Sequence, residues 1–507
     1  MPLLSNLAAI ARHYYDLGFT SFGGPGVHVV ILRQRFVDRL RWVDEKTFVD
    51  LFALGNALPG PGSTQLAFSI AVVTHGVVAG LFAFLLWSLP GAIGMGALGF
   101  GISHIGDSLP GIMLALFTGL NAASVGLIAL AALQLATAAC TDKLTTLILW
   151  LSASFGICYH APWMYPSLIA TGGLATLVWD FRRTWLRKLG VGKRAEQEEI
   201  ELAAAAVAAS VAASDQASTA PVNQQPVAQA GSDGGGTPRT SSLRQRITDP
   251  ATPPPDDSAH AEAAQPTLAD NLKVVSPPVA VALLLGFVLF LTVPLATRAG
   301  IHNAGKHVPR ALDFFCNMII AGTIIFGGGP VVIPLLRGYV VDPGWVSDRD
   351  FLLLFAILQA FPGPNFNFAV ALGVLALSPK LPALGAVLGF IGIFAPGILL
   401  KLALLPIYSS WRDKSVARSV LRGLNAAASG LVFTAVWQLF LVGYIYQSGG
   451  GESGKKQALA GPLTSDPFWA VVSSGTFVAS RTFGSPPWLS VMGGGVAGLA
   501  WYGVQQS

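Results

Sequence analysis

Leu54–Ala67 reads LGNALPGPGSTQLA, and Ile357–Ala369 reads ILQAFPGPNFNFA. Both stretches lie inside long apolar runs. Proline removes a backbone donor and clashes with the preceding turn, and glycine adds freedom, so Pro59-Gly60-Pro61 and Pro362-Gly363-Pro364 each end a helix. A soluble surface would hydrate such a break. In a bilayer it must be buried in protein or line a polar cavity, because every unpaired backbone group costs several kcal/mol. One break in each half of an apolar chain therefore points to a binding site.

The surroundings are those of a membrane protein. Of 507 residues, 52% are hydrophobic and 11% charged, with a mean hydropathy of +0.59. Many apolar runs reach the ~20 residues that a helix needs to span a bilayer. The counts of 57 Gly and 33 Pro suit broken or closely packed membrane helices. The formal charge of +5 is concentrated in a few loops, with no basic block interleaved with aromatics, so no nucleic-acid partner is expected. Cys140, Cys158 and Cys316 have unrelated spacings that define neither a disulfide framework nor a metal motif. No cofactor and no metal are expected. The apolar part of the N-terminus is too short for a cleaved signal, so it reads as mature sequence.

Two halves repeat. Trp42-Val43 corresponds to Trp345-Val346, Pro59-Gly60-Pro61 to Pro362-Gly363-Pro364, and Leu89-Pro90-Gly91 to Ala395-Pro396-Gly397. Gly119-Leu120-Asn121-Ala122-Ala123 corresponds to Gly423-Leu424-Asn425-Ala426-Ala427, and the offsets stay between 303 and 306. The domains expected are 1–180, a first repeat; 181–276, a basic flank and disordered linker rich in Ala, Ser, Gln and Pro; and 277–507, a second repeat. In the first half the loop holding Arg33, Arg35, Arg39, Arg41 and Lys46 is basic, while Ile102–Pro110 has no Lys or Arg. In the second half the basic loop is Ser409–Arg422, on the other side of the corresponding helix. The positive-inside bias then makes the repeats inverted, with the basic loops cytoplasmic. Five apolar segments separate the loop at Arg33–Lys46 from the basic cluster at Arg182–Arg194. If both are cytoplasmic, one segment does not cross; either the Pro-Gly-Pro segment re-enters or Leu144–Tyr159 falls short. The fold class expected is an all-α polytopic membrane protein of two homologous, inverted repeats, with discontinuous, re-entrant helices at the Pro-Gly-Pro breaks.

A half-helix that starts after such a break presents free N–H groups and a partial positive charge, which suits an oxyanion without a cationic side chain. Asn56, Pro59, Gly60, Pro61, Gly62, Ser63, Thr64 and Gln65 in the first half, and Gln359, Pro362, Gly363, Pro364, Asn365 and Asn367 in the second, are the substrate-binding candidates. For any one of them helix capping is the plainer role; together they read as a site. Gly23 and Gly24, with Gly328 and Gly329, allow a backbone nest for anions or close helix packing. Asn121 and Asn425 read first as interhelical bonds. Lys401 stands alone in an apolar stretch, with Met95 at the matching position. It attracts an anion if central and snorkels if near the interface, the second reading being the favoured one. Asp50, His75 and Asp313 are candidate proton-coupling groups or interfacial residues. The chain has no phosphate loop, no His-Glu-x-x-His and no nucleophile elbow, so it does not read as an enzyme.

Phe22-Gly23-Gly24-Pro25, the basic loop ending at Trp42-Val43, Leu58-Pro59-Gly60-Pro61 and Leu89-Pro90-Gly91, with their second-half copies, resemble the chromate ion transporter family in its long, two-domain form. The likeness covers roughly residues 14–134 and 314–439. The long linker is unlike compact bacterial members and points to a eukaryotic, fungal version. The resemblance implies transport of chromate, with sulfate as the related oxyanion, by an integral multi-pass protein of the plasma membrane. A secondary, alternating-access transporter is the expected mechanism, antiport being one mode; a homodimer is one assembly open to it. A transporter or channel for another inorganic anion, and a non-transporting sensor, are the alternatives.

Overall fold

The computed structural model describes residues 2–22, 24–105, 109–159, 164–188, 275–325, 329–358, 361–411, 414–448 and 457–506. The expected linker falls almost entirely on residues 189–274, outside the described residues. Residues 1–180 and 266–507 form one compact unit.

Its helices follow the apolar runs. The first half contains α1 (Pro2–Tyr14), α2 (Leu17–Thr20), α3 (Gly24–Arg33), α4 (Glu45–Ala57), α5 (Gly62–His75), α6 (Val77–Ser103), α7 (Gly111–Ala139), α8 (Lys143–Cys158) and α9 (Met164–Lys188). The second contains α10 (Pro277–Asn303), α11 (Arg310–Ile324), α12 (Gly329–Val340), α13 (Asp348–Leu358), α14 (Phe368–Leu377), α15 (Pro382–Trp411), α16 (Ser415–Val442), α17 (Pro467–Thr482) and α18 (Pro487–Gln506). A short antiparallel hairpin, β1 (Tyr444–Ser448) and β2 (Gln457–Gly461), joins α16 to α17. Among the described residues, α6, α7, α10, α15 up to Pro406, and α16 are long and apolar enough to cross a membrane. Local chemistry sets several starts. Asp44 accepts the Thr47 N–H at the head of α4, and Asp142 forms a reciprocal capping box with Thr145 at the head of α8.

Each Pro-Gly-Pro splits an apolar run. Phe48–Thr74 becomes α4 and α5, and Phe351–Leu377 becomes α13 and α14, the latter entered through a 3₁₀ turn at Asn365–Asn367. The half-helices that follow the breaks are core elements: every residue of Gly62–Val73 and of Phe368–Leu377 is buried. By contrast α10 lies at the rim, with only Ala280 buried.

Side-chain contacts sort the loops into two ends. At one end the ring of Trp42, before α4, lies 4.5 Å from that of His75, which closes α5. The broken pair therefore enters the bundle and returns, and its apex is the Pro-Gly-Pro. From the same end α6 and α7 run out and back, bringing Asp142 to Arg422 at the head of α16, 2.5 Å away; Asp180 near the end of α9 meets the same guanidinium at 2.8 Å. At the opposite end Arg349 donates to the Ile105 carbonyl (3.5 Å), and Arg310 to that of Ala376 (3.3 Å). Asp142, before α8, and Asp180, in α9, meet one guanidinium, so α8 and α9 leave and return to the same end; α8, at 16 residues, is shorter than the five helices long enough to span.

The halves are also interwoven. Gly119 of α7 takes α18 at Gly494, and the matching Gly423 of α16 takes α9 at Gly172; a Cβ at either glycine would collide with the partner's backbone carbonyl. Each half thus lends its last helix to the other. Asn121 is buried there and donates to the Gly443 carbonyl (3.3 Å), the interhelical bond expected of it.

Candidate functional site

The two breaks meet inside the bundle through reciprocal contacts. Gly60 N–H donates to the Ile325 carbonyl at 2.7 Å, and Gly363 N–H to the Ser21 carbonyl at 2.8 Å. Ser21 and Ile325 each immediately precede the glycine-rich Phe-Gly-Gly sequence of their own half. Both glycines have left-handed backbone, φ +108° and +90°, which other residues adopt only with strain. The glycine of each Leu/Ala-Pro-Gly motif makes room for the other half's break. A Cβ on Gly91 would stand 2.7 Å from the Pro362 oxygen, and one on Gly397 2.8 Å from the Pro59 oxygen. A contact pattern in which i meets j′ and i′ meets j is that of a two-fold relation, and it matches the duplication in the sequence.

Where the breaks face each other a small cavity is lined by His28, Pro61, Gly62, Ser63, Pro364, Asn365 and Phe366. It leaves about 10 Å³ for the centre of a water-sized sphere, enough for one water. Two helix starts bound it. α5 begins at Gly62 behind Pro61, and the turn into α14 begins at Asn365 behind Pro364; neither has a side-chain cap. Their first-turn N–H groups and dipole ends converge on one spot, an arrangement that favours negative charge.

Buried polar atoms without partners crowd the same region: Ser21 Oγ, Thr64 Oγ1, Trp87 Nε1 and Ser88 Oγ, which can donate, and Gln65 Oε1 and Asn367 Oδ1, which accept. The two amides are oriented by their own bonds. Gln65 Nε2 donates to the Pro59 carbonyl (2.6 Å) and Asn367 Nδ2 to that of Ser88 (3.1 Å), so each brace reaches a break or the helix beneath one. An unpaired buried donor costs about 1–3 kcal/mol, a cost that a bound acceptor relieves.

Of the sequence candidates, Pro61, Gly62, Ser63, Pro364 and Asn365 line the cavity. Thr64, Gln65 and Asn367 are buried just behind it, and Pro59, Gly60, Pro362 and Gly363 make the turns. Gly24 and Gly329 open α3 and α12. Gln359, Gly23, Gly328 and the Asn56 side chain lie outside the described residues. Asp50, His75 and Asp313 are away from the cavity. Asp50 is in the second turn of α4, near the Trp42 end; His75 packs on Trp42; Asp313 pairs with Arg298 at 2.6 Å near the opposite end.

Lys401 departs from the favoured reading. It does not snorkel: it is 0% exposed, and Nζ donates to the Leu51 carbonyl of α4 at 2.9 Å. The cause is the crossing of α15 over the first break, which turns this face of the helix inward. The point where a Cβ on Gly55 would sit is 3.7 Å from Lys401 Nζ and 3.1 Å from the Gly62 oxygen. One glycine therefore separates the amine from the cavity wall.

His28, Ser21, Trp87 and Ser88 were not legible as site residues. His28 is 1% exposed; its ring meets Trp87 edge-on at 5.2 Å, with Nδ1 3.1 Å from Ser63 Oγ and Nε2 3.1 Å from the Ser21 oxygen. The available signal was a lone histidine in the apolar run Val27–Leu32, a few residues after Phe22-Gly23-Gly24-Pro25.

A family model described as Chromate transporter matches residues 8–179 and 312–499. The chain is 24% identical over 434 residues to the chromate transport protein of Pseudomonas aeruginosa, covering 85% of this chain and 80% of that one. It is 23% identical over 436 residues to the chromate transport protein of Cupriavidus metallidurans, covering 85% and 82%. No solved structure matches.

Proposed function

The chain belongs to the chromate transporter family, an integral multi-pass membrane transporter and not an enzyme, and on that premise we propose that it carries chromate and sulfate through the paired breaks as a secondary transporter of the plasma membrane. The observation that carries the reading is the pair of uncapped helix starts facing each other across one cavity, with unpaired buried hydroxyl and indole donors in the layer of residues around its lining. Both anions are tetrahedral dianions, and donors of this kind separate them poorly. The acceptor oxygens of Gln65 and Asn367 suit a hydrogen-bond donor such as water, and take the part of positioning groups.

The cavity holds little more than a water, so a tetrahedral oxyanion enters only if one break moves from the other. That requirement supports alternating access, with the halves parting at the Gly60–Gly397 and Gly363–Gly91 contacts. Inversion of the repeats is supported by the ends to which equivalent loops belong. The loop after α3 lies at the Trp42 end, whereas Arg349, in the corresponding region of the second half, lies at the opposite end beside Ile105. The Trp42 end also carries Arg422, and its basic loops make it the cytoplasmic one.

Purified protein in sealed vesicles should take up radiolabelled chromate with saturation and be competed by excess sulfate. Linear, non-saturating flux would make it a channel, and no flux of either anion from folded protein would overturn the reading.

A further inference from the structure

The partners of His28 determine where its hydrogens are. A carbonyl oxygen only accepts, so the contact with Ser21 places a hydrogen on Nε2. In the neutral ring Nδ1 is then a lone pair, and it accepts the hydroxyl hydrogen of Ser63. In this state Ser63 shows the cavity only lone pairs, which repel an oxyanion. A proton added to Nδ1 reverses the bond. The imidazolium donates Nδ1–H to Ser63 Oγ, the hydroxyl hydrogen is free to turn into the cavity as a donor, and the ring brings a unit positive charge to its wall.

We propose that His28 and Ser63 form a proton-controlled switch that makes the cavity receptive to a tetrahedral dianion, so that one proton enters with each anion. The inference rests on the oxyanion site proposed above. The proton comes from water on the open side and goes to Nδ1; only hydrogen bonds change. When the anion leaves, the proton returns to water and the Ser63 hydroxyl turns back to Nδ1.

The neighbours of the ring support the coupling. Facing it are Ser63 from α5, the Ser21 carbonyl after α2, the Trp87 ring from α6, and Pro364, Asn365 and Phe366 from the second break. None of these is charged, and the Lys401 amine is set behind Gly55. With no carboxylate among these neighbours, the anion itself is the counter-charge of the imidazolium. Protonation and anion binding then strengthen each other by the same factor. The duplication does not repeat the device: the offsets of 304 and 303 put Val332 opposite His28 and Phe366 opposite Ser63. The switch serves one break only.

Chromate binding to the detergent-purified full chain, in mildly alkaline solution where the probe is wholly dianionic, should weaken by up to about tenfold per pH unit. Weakly buffered solution should lose one proton per anion bound. His28→Gln should bind weakly, with no dependence on pH and no proton uptake. Ser63→Ala should bind at least tenfold more weakly yet still take up the proton. Wild-type binding that ignores pH and takes up no proton overturns the switch and leaves the oxyanion site standing. No binding of chromate or sulfate by folded wild-type protein overturns the site, and the switch with it. Should His28→Gln fail to fold, Ser63→Ala decides, and unchanged affinity in that variant overturns the switch.

Discussion

Gly91→Ala asks whether transport depends on the seating of one half's break against the other half's helix. The added Cβ would stand 2.5 Å from Asn367 Nδ2 and 2.7 Å from the Pro362 carbonyl oxygen. Comfortable contact needs about 3.5 Å, so something must move by roughly 1 Å. The Asn367 side chain can rotate away, but only by giving up its bond to the Ser88 carbonyl. The Pro362 oxygen is backbone, in a turn pinned by the Gly363–Ser21 bond. Overpacking of this kind costs about 1–3 kcal/mol, and a buried amide left unpaired about 1–3 kcal/mol more. The sum, about 2–6 kcal/mol, falls on the arrangement in which the breaks are closed on each other. Even the lower value changes that equilibrium roughly 30-fold. Chromate uptake in sealed vesicles should therefore drop at least tenfold, from protein that still elutes as a folded species. Gly101→Ala on the same helix is the control, because nothing stands within 4 Å of its Cβ position. Uptake by Gly91→Ala at the wild-type rate, alongside an unaffected Gly101→Ala, would refute the claim that the breaks work against the partner half.

Three further outcomes are expected. With Cys140, Cys158 and Cys316 replaced by serine, cysteines introduced at Lys46 and Lys414 should be labelled by an impermeant thiol reagent from one side of the membrane, and those at His104 and Asp342 from the other; labelling of Lys46→Cys and Asp342→Cys from the same side would end the inverted arrangement. Lys401→Met places in α15 the residue that the matching position carries at Met95. A buried amine carries a desolvation cost that an apolar side chain of similar length removes, so the melting temperature should not fall while uptake drops at least tenfold; unchanged uptake would show that the amine is only structural. Arg422→Ala removes two partly exposed ion pairs, to Asp142 and Asp180, worth about 0–1 kcal/mol each. The Thr145 N–H holds the Asp142 carboxyl below its usual range, so its contribution is present at neutral pH and lost as pH falls through the folded value. The gap in melting temperature between wild type and Arg422→Ala should accordingly close in acid, and a gap independent of pH would count against these pairs as its source.

Much of this organisation could be read without coordinates because it depends on order and periodicity. Two prolines about a glycine at 59–61 break the run from Phe48 to Thr74, whereas the single Pro90 and Pro396 stay inside α6 and α15. A constant offset between Pro-Gly-Pro, Pro-Gly and Gly-Leu-Asn-Ala-Ala motifs exposes a duplication whatever the fold. Charge in the loops carried the two ends, since Arg33–Lys46 and Ser409–Arg422 stand out against an apolar chain. Other features have no local mark. His28 sits in a run of Val, Ile and Leu, and a lone histidine there looks the same whether it packs in a core or walls a cavity. Lys401 could be placed along α15 but not around it: the same residue snorkels on one face and is sealed on another, and the crossing of α15 over α4 chose the sealed one.

Residue composition and order were enough to put the chain in a bilayer, to make it two copies of one plan, and to interrupt each copy at a Pro-Gly-Pro. Those properties follow from composition, from the period of a repeat and from the covalent geometry of proline, none of which needs a partner in space. Tertiary structure alone decided that each break closes on the other half, that Ser21 accepts both the Gly363 amide and the His28 ring, and that α7 and α16 exchange helices at Gly119 and Gly423. Apart from the bond of His28 to Ser21, those contacts join residues hundreds of positions apart, and their selection rests on the fit of backbone against backbone at glycine, a property of two surfaces together and not of either stretch alone.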